Sequence, residues 1–258
     1  MSWATRRKAM YLLGVFLFFA LVIGGPLAYG YFSAPATCSD GTRNQGETSI
    51  DRGGPCLALD EQNLQPHAVL WSRAFKVRDG SYNAVAYIEN PNPNAGAPIA
   101  RYRFSFYDAG NILIAEREGT SFIMPGGITP VFEPRIDTGN RLVAHTYFEF
   151  TGPLSWQRMY DTASAISISD KEVTDITTLP RVNARAANSS VADILSPSFV
   201  IVVFDPSGNA FAASQTSVQR LSANGSAAIT FTWPDPFAQS IGRMDIIPLS
   251  APVPAPAQ

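Results

Sequence analysis

Along residues 100–107 every second side chain is apolar: Tyr102, Phe104 and Phe106 fall on one side, Arg101, Arg103 and Ser105 on the other. A period of two marks a strand with one buried face. Residues 142–150 repeat the pattern, with Leu142, Ala144, Phe148 and Phe150 set against His145, Tyr147 and Glu149, which predicts a second half-buried strand. Turn residues punctuate the intervals: Asp108-Ala109-Gly110-Asn111 precedes the apolar run 112–115, and Pro125-Gly126-Gly127 precedes 128–132. About seven such strands fit into the first of these regions, 67–150, the spacing of an immunoglobulin-like sandwich. Trp71 alternates with Val69 and Phe75 and is expected in that sandwich's core.

The pattern then returns. Phe106-Tyr107-Asp108 with Gly110-Asn111 reappears as Val203-Phe204-Asp205 with Gly208-Asn209. Ala115, Gly127 and Val131-Phe132 correspond to Ala213, Gly225 and Ile229-Thr230-Phe231, and residues 87–90 to 185–188. The offset stays at 97–98 residues, too long for a solenoid unit, and reads as a domain duplication with its boundary near 151–163. One strand differs between the copies. Residues 199–204, FVIVVF, are apolar on both faces, so both sides need cover. Either Trp233 or a connecting loop shields the outer face, or that face, with Val202 at its centre, docks on the first domain or on a partner.

The N-terminus shows no alternation. Residues 10–32 carry no charge and follow directly on Arg6, Arg7 and Lys8. As a helix they are about 34 Å long, enough to cross the ~30 Å hydrocarbon core of a lipid bilayer. Basic residues flank only the first end, and no acidic residue precedes Asp40. The positive-inside rule therefore puts the N-terminus in the cytoplasm and the rest outside, with Tyr29, Tyr31 and Phe32 as an interfacial aromatic belt. A cleaved signal peptide is the alternative: Gly24-Gly25-Pro26 breaks the apolar run, and Ala28-Tyr29-Gly30 offers a small-residue cleavage site. Both readings export the remainder.

Composition narrows the class. Beyond Lys8 there are 16 Lys and Arg against 21 Asp and Glu, a mildly acidic balance that argues against nucleic acid as a partner. Few charges, with 19 Gly, 20 Pro, 16 Phe and 9 Tyr, suit an all-β chain rich in turns. Residues 251–258 are almost entirely Pro and Ala and are expected to be a disordered tail.

Cys38 and Cys56 are the chain's two cysteines. In an oxidising compartment they are expected to pair, free thiols being the alternative. The segment between them is turn chemistry, with no hydrophobic period. Asp40, Asn44, Glu47 and Asp51 place four oxygen-bearing side chains close together in sequence and form a candidate calcium set. Gln45 stands where an EF-hand loop requires glycine, however, and the alternative is that these residues cap backbone groups of turns. Cys38, Asp40, Gly41, Asn44, Glu47, Asp51, Gly53, Gly54 and Cys56 match a short motif of exported bacterial proteins, C-x-D-G-x-x-N-x-x-E-x-x-x-D-C-G-G-x-C, which the segment resembles. Arg52 replaces the motif's internal cysteine, and the even loss of thiols fits a disulfide-stapled stalk rather than a metal site. Phe104-Ser105-Phe106-Tyr107-Asp108 resembles the signature of the FxLYD domain, an immunoglobulin-like sandwich of exported prokaryotic proteins, with Phe106 for the usual Leu. Ile201-Val202-Val203-Phe204-Asp205 is a looser copy. Together these features resemble single-pass membrane proteins of bacteria, a family with no catalytic residues to carry over.

Chemistry is sparse. His67 and His145 are the two histidines, and no G-x-S-x-G, H-E-x-x-H or phosphate-cradling glycine loop occurs. Trp156 and Trp233 are candidates for loop aromatics that would stack on a sugar; otherwise Trp156 wedges the two domains apart. The sequence therefore predicts an all-β, non-enzymatic protein without a cofactor beyond the calcium considered above. Its parts are a cytoplasmic segment (1–9), a transmembrane helix (10–32) in the lipid bilayer, a stapled stalk (33–65), two tandem immunoglobulin-like β-sandwiches (66–152 and 153–250) and the tail (251–258). The role expected is a cell-surface or envelope scaffold that binds other surface proteins; the alternatives are an envelope carbohydrate-binding module and an exported hydrolase.

Overall fold

The computed structural model describes residues 3–32 and 37–254. The side chains of Tyr31 and Phe32, and the tail residues 255–258, lie outside what is described. Helix α1 (Trp3–Phe19) runs through a π-helical turn (Ala20–Gly24) into α2 (Gly25–Phe32). The helix continues through Gly24-Gly25-Pro26, as expected of the 10–32 span and not of the signal-peptide alternative. Pro26 lacks an N–H and its ring crowds the carbonyl four residues back; the widened turn just before it takes up the misfit. The stretch Trp3–Gly30 is long and apolar enough to cross a membrane, and none of it is covered by the rest of the protein.

Sixteen strands follow among the described residues. The first sandwich uses β1 (Ala68–Arg78), β2 (Ser81–Glu89), β3 (Ala95–Tyr107), β4 (Leu113–Ile123), β5 (Ile128–Asp137) and β6 (His145–Phe150). A short β7 (Gln157–Tyr160) links it to the second, which uses β8 (Ile166–Thr174), β9 (Arg181–Asn188), β10 (Ile194–Leu195), β11 (Ser198–Phe204), β12 (Ala210–Ser217), β13 (Arg220–Leu221), β14 (Ser226–Thr232) and β15 (Arg243–Leu249). The last, β16 (Val253–Pro254), returns to β7.

The two sandwiches have one topology. In the first, β1-β2-β5 faces a sheet in which β3 pairs with β4 and β6; in the second, β8-β9-β14 faces β12-β11-β15. Six long strands thus build each unit, one fewer than the expected seven. Residues 142–144 fall outside β6, and Leu142 is exposed, because a turn closed by the Thr138 hydroxyl on the Arg141 carbonyl occupies 138–141. Matching turns repeat bond for bond: the Asp108 N–H donates to the Ile112 carbonyl as that of Asp205 does to Asn209. Likewise the N–H groups of Asn90 and Asn188 donate to the carbonyls of Gly127 and Gly225, at 2.9 and 2.8 Å.

Alternation fills each core. From β2 and β3, Ala84, Ala86, Ile88, Tyr102, Phe104 and Phe106 meet between the sheets of the first sandwich. Phe199, Ile201 and Val203 of β11 meet Val182, Ile229 and Phe231 in the second. The other faces of β2 and β11 are buried too. Val85 and Tyr87, with Phe75 of β1, pack against Val200, Val202 and Phe204 in a third apolar cluster. The outer face of β1-β2-β5 thus lies on the outer face of β12-β11-β15, and the two sandwiches form one body. The Arg73 guanidinium donates to the Ala210 carbonyl across this seam at 2.6 Å, and Arg243 lies over the Phe204 ring. Trp71 belongs here rather than in the first core, tilted against the Tyr87 ring with centroids 4.3 Å apart. A register shift between Val69 and Trp71 accompanies that placement.

Two expected boundaries move. Leu154 and Trp156 pack in the first core, so that unit extends past 152. Val253 and Pro254, expected in the disordered tail, pair with Tyr160 and Met159; an edge position tolerates the missing proline N–H.

Candidate functional site

The stapled loop is polar and tightly turned. Cys38 and Cys56 form a disulfide with Cα atoms 5.5 Å apart. Closing a loop of this length restricts the unfolded chain by about 3 kcal/mol in the entropy model. Gln45, Gly46, Asp51, Gly53 and Gly54 all have positive φ, which curls the backbone into successive turns. At Gly54 a Cβ would meet the Gly46 carbonyl oxygen at 2.7 Å, so only glycine lets the loop close on itself.

The four calcium candidates serve these turns. Asp40 accepts the Thr42 hydroxyl at 2.6 Å, the Asn44 amide at 2.8 Å and the Thr42 N–H at 2.8 Å. Those bonds, the Thr42 hydroxyl first, hold its carboxyl well below the usual range. Asp51 accepts the Gly41 N–H, and Glu47 accepts the N–H groups of Asn44 and Asp51. Asn44 Oδ1 is buried without a partner. Among the described residues, the acidic and sulfur side chains whose ligand atoms lie within 4.8 Å of one another are Cys38, Glu47 and Cys56. Asp40 and Asp51 are not part of that set; their carboxylates, like that of Glu47, are tied to N–H groups of the turns.

The loop is no free stalk. Its residues are fastened to β7: the Leu59 N–H donates to the Trp156 carbonyl, the Arg158 N–H to the Leu57 carbonyl, and the Arg158 side chain to the Gly54 carbonyl. Strand β7 also pairs with β3 and β16, so loop, first sandwich and chain end meet along four residues.

The aromatic candidates turn inward. Trp156 is 8% exposed in the first core, against His67, and Trp233 is 7% exposed in the second, against Phe237. Neither indole is an open platform for a sugar, because each covers the end of its own core. Trp156 does not wedge the two sandwiches; the third apolar cluster does, with Val202 fully buried inside it. Sequence reasoning missed Arg73, whose reach across the seam no local pattern announces.

His145 is exposed at the start of β6, opposite Tyr107. His67 is half-buried between Phe150 and Trp156, with ring centroids 5.5 and 5.6 Å away. Burial lowers its pKa below 6.5, against a smaller opposing effect of Glu61. The unfolded chain therefore binds a proton that the folded one resists, so this contribution to stability is complete above pH 6.5 and lost as pH falls through the folded value. A melting temperature that declines below pH 6.5 in the native chain, and declines less in His67→Gln, is the expected result in calorimetry.

A cleft of about 510 Å³ lies between β10 and the approach to β16, lined by Asp161, Thr162, Ile194, Leu195, Ser250 and Val253 among others. Asp161 is held up by burial, and Asp193 at the rim pairs with Arg220. Its polar side chains are the carboxylates of Asp161 and Asp193 and the hydroxyls of Thr162, Ser190 and Ser250.

No family model and no curated protein matches the chain. Among solved structures, red sea bream transglutaminase is similar over 71% of this chain at 9% identity and a TM-score of 0.26, and the match spans 29% of the transglutaminase chain. A likeness that faint carries no functional argument, and the immunoglobulin-like fold rests on the sheets themselves.

Proposed function

We propose that this chain is a membrane-anchored surface or envelope protein with a non-enzymatic role, presenting a rigid pair of β-sandwiches to other proteins. The observation that carries the reading is the contrast between two parts of one molecule. The N-terminal helix leaves its apolar side chains uncovered, whereas the sandwiches bury theirs and lock together. A lipid bilayer is the natural cover for such a helix. Arg6, Arg7 and Lys8 favour residues 1–9 on the cytoplasmic side, and a helix continuous through Pro26 favours an anchor over a cleaved signal. Exposed strand edges and turns would then supply partner contacts.

The test is topology followed by capture. Protease added to intact cells, after removal of any outer layer, should strip the sandwiches and leave a membrane-bound fragment containing the helix. A mature chain beginning beyond Gly30, or sandwiches cut only from the cytoplasmic side, would refute the anchor. Crosslinking in native membranes should then yield protein adducts. Retention on purified envelope glycan without such adducts would favour the carbohydrate reading instead.

A further inference from the structure

Glu47 is 3% exposed although most of its loop is open to solvent. Its Oε2 accepts two backbone N–H groups, each at 3.2 Å. Its Oε1 lies 3.1 Å from Sγ of Cys56, and a sulfur already bonded to Cys38 carries no proton to donate. A buried oxygen left so is unfavourable, the more so when it carries charge. The oxygen is nonetheless aimed at the sulfur pair: the ligand atoms of Cys38, Glu47 and Cys56 all lie within 4.8 Å of one another. Cys38 is exposed, which opens the cluster to reagents.

We infer that this cluster, once its disulfide is reduced, is a binding site for a thiophilic divalent cation such as zinc or cadmium, with Cys38, Cys56 and Glu47 as ligands. A dithiol reductant gives two electrons and two protons to the S–S bond and itself closes to a disulfide. The cation then displaces both thiol protons and binds two thiolates and Oε1, leaving a fourth position for water. Bond lengths of about 2.3 Å to sulfur and 2.1 Å to oxygen in a tetrahedron set sulfur and oxygen roughly 3.6 Å apart. From 3.1 Å, that asks Glu47 and Cys56 to separate by only about half an ångström. The two sulfurs, no longer bonded to each other, also part to roughly 3.8 Å across the tetrahedron, while Arg158 and the Gly53 N–H hold the loop to residues outside the staple. The loop thus has two closed forms, one covalent and one metal-held, and the second satisfies the oxygen that the first leaves without a donor. Soft sulfur ligands distinguish this site from the oxygen-only calcium set.

Full-length protein in detergent micelles, reduced with a phosphine under argon, would be titrated with cadmium chloride while the thiolate-to-cadmium ultraviolet band and bound metal per chain are read. One cadmium per reduced chain is expected, none for the disulfide form, and no band for the Cys38→Ser/Cys56→Ser double variant. Glu47→Gln should weaken binding about tenfold or more while keeping the band, and Glu47→Asp should fall between Gln and the native residue. Reduced chain that takes up no cadmium overturns the proposal. So does Glu47→Gln that binds as tightly as the native residue, or equal losses in Gln and Asp, which would mark Glu47 as a folding residue rather than a ligand.

Discussion

Replacing Val202 with Asp is expected to part the two sandwiches without melting either. Val202 is fully buried between them and lies opposite Ala213 on one side and Asp245 on the other. A carboxylate there would lose its water among apolar side chains and face, directly across the ladder, the Asp245 carboxylate to which Arg243 is already paired. The penalty falls on docking and is on the order of 4 kcal/mol. The inner face of β11 is untouched, since Phe199, Ile201 and Val203 point into the second core. Scattering should therefore report a larger radius of gyration, and calorimetry two transitions in place of one, while far-ultraviolet dichroism keeps its β signal. Loss of that signal would mean that the second sandwich cannot stand without its neighbour.

The second large effect is expected at Asn188. Its Nδ2 donates to the carbonyls of Ala192, Leu221 and Ser222 at 2.8, 3.1 and 3.1 Å, and its Oδ1 accepts the Ser190 N–H and hydroxyl at 2.9 and 2.7 Å. One 2% exposed amide thereby ties the turn after β9 to the turn before β14. Asn188→Ala strands those buried groups and should cost about 2–4 kcal/mol. Asn188→Asp keeps the acceptor but not the donor and should be no better. Asn90 does the same for the first sandwich, donating to the Ala95 and Met124 carbonyls at 2.7 and 2.8 Å. Made in the Val202→Asp background, each alanine should lower one transition in a urea melt and leave the other in place. A shift of both would mean that the units remain coupled by some route other than the apolar seam.

Much of the fold was legible because strands write their faces into the chain at period two. Residues 199–204 announced a strand covered on both sides, and the structure places the first sandwich over its outer face. What could not be read was the identity of that cover. Ala84-Val85-Ala86-Tyr87-Ile88 is equally apolar on both faces, but alternation says only that a face is hidden, not by what. Trp156 and Trp233 were ambiguous for a related reason: an indole at the end of a strand reads alike whether it caps a core or lies open. The stapled loop was least legible. The closeness of Glu47 to Cys56 depends on left-handed residues at Gln45, Gly46 and Asp51, and such turns leave no periodic trace.

The two repeats meet through sheets that are not equivalent, so the contact has a head and a tail, and a head-to-tail contact between like units is open to endless addition. The chain forecloses this at both ends. Where the second repeat has Val200, Val202 and Phe204, the first has Arg103, Ser105 and Tyr107, with Arg103 ion-paired to Glu118 and Glu149. Where the first has Val85, Tyr87 and Phe132, the second has Asn183, Arg185 and Thr230, with Arg185 paired to Asp170 and Thr230 bonded to Asn183. Charged and polar side chains on both outward faces leave the pair without an apolar face on which a further copy could stack, a guard against filament growth.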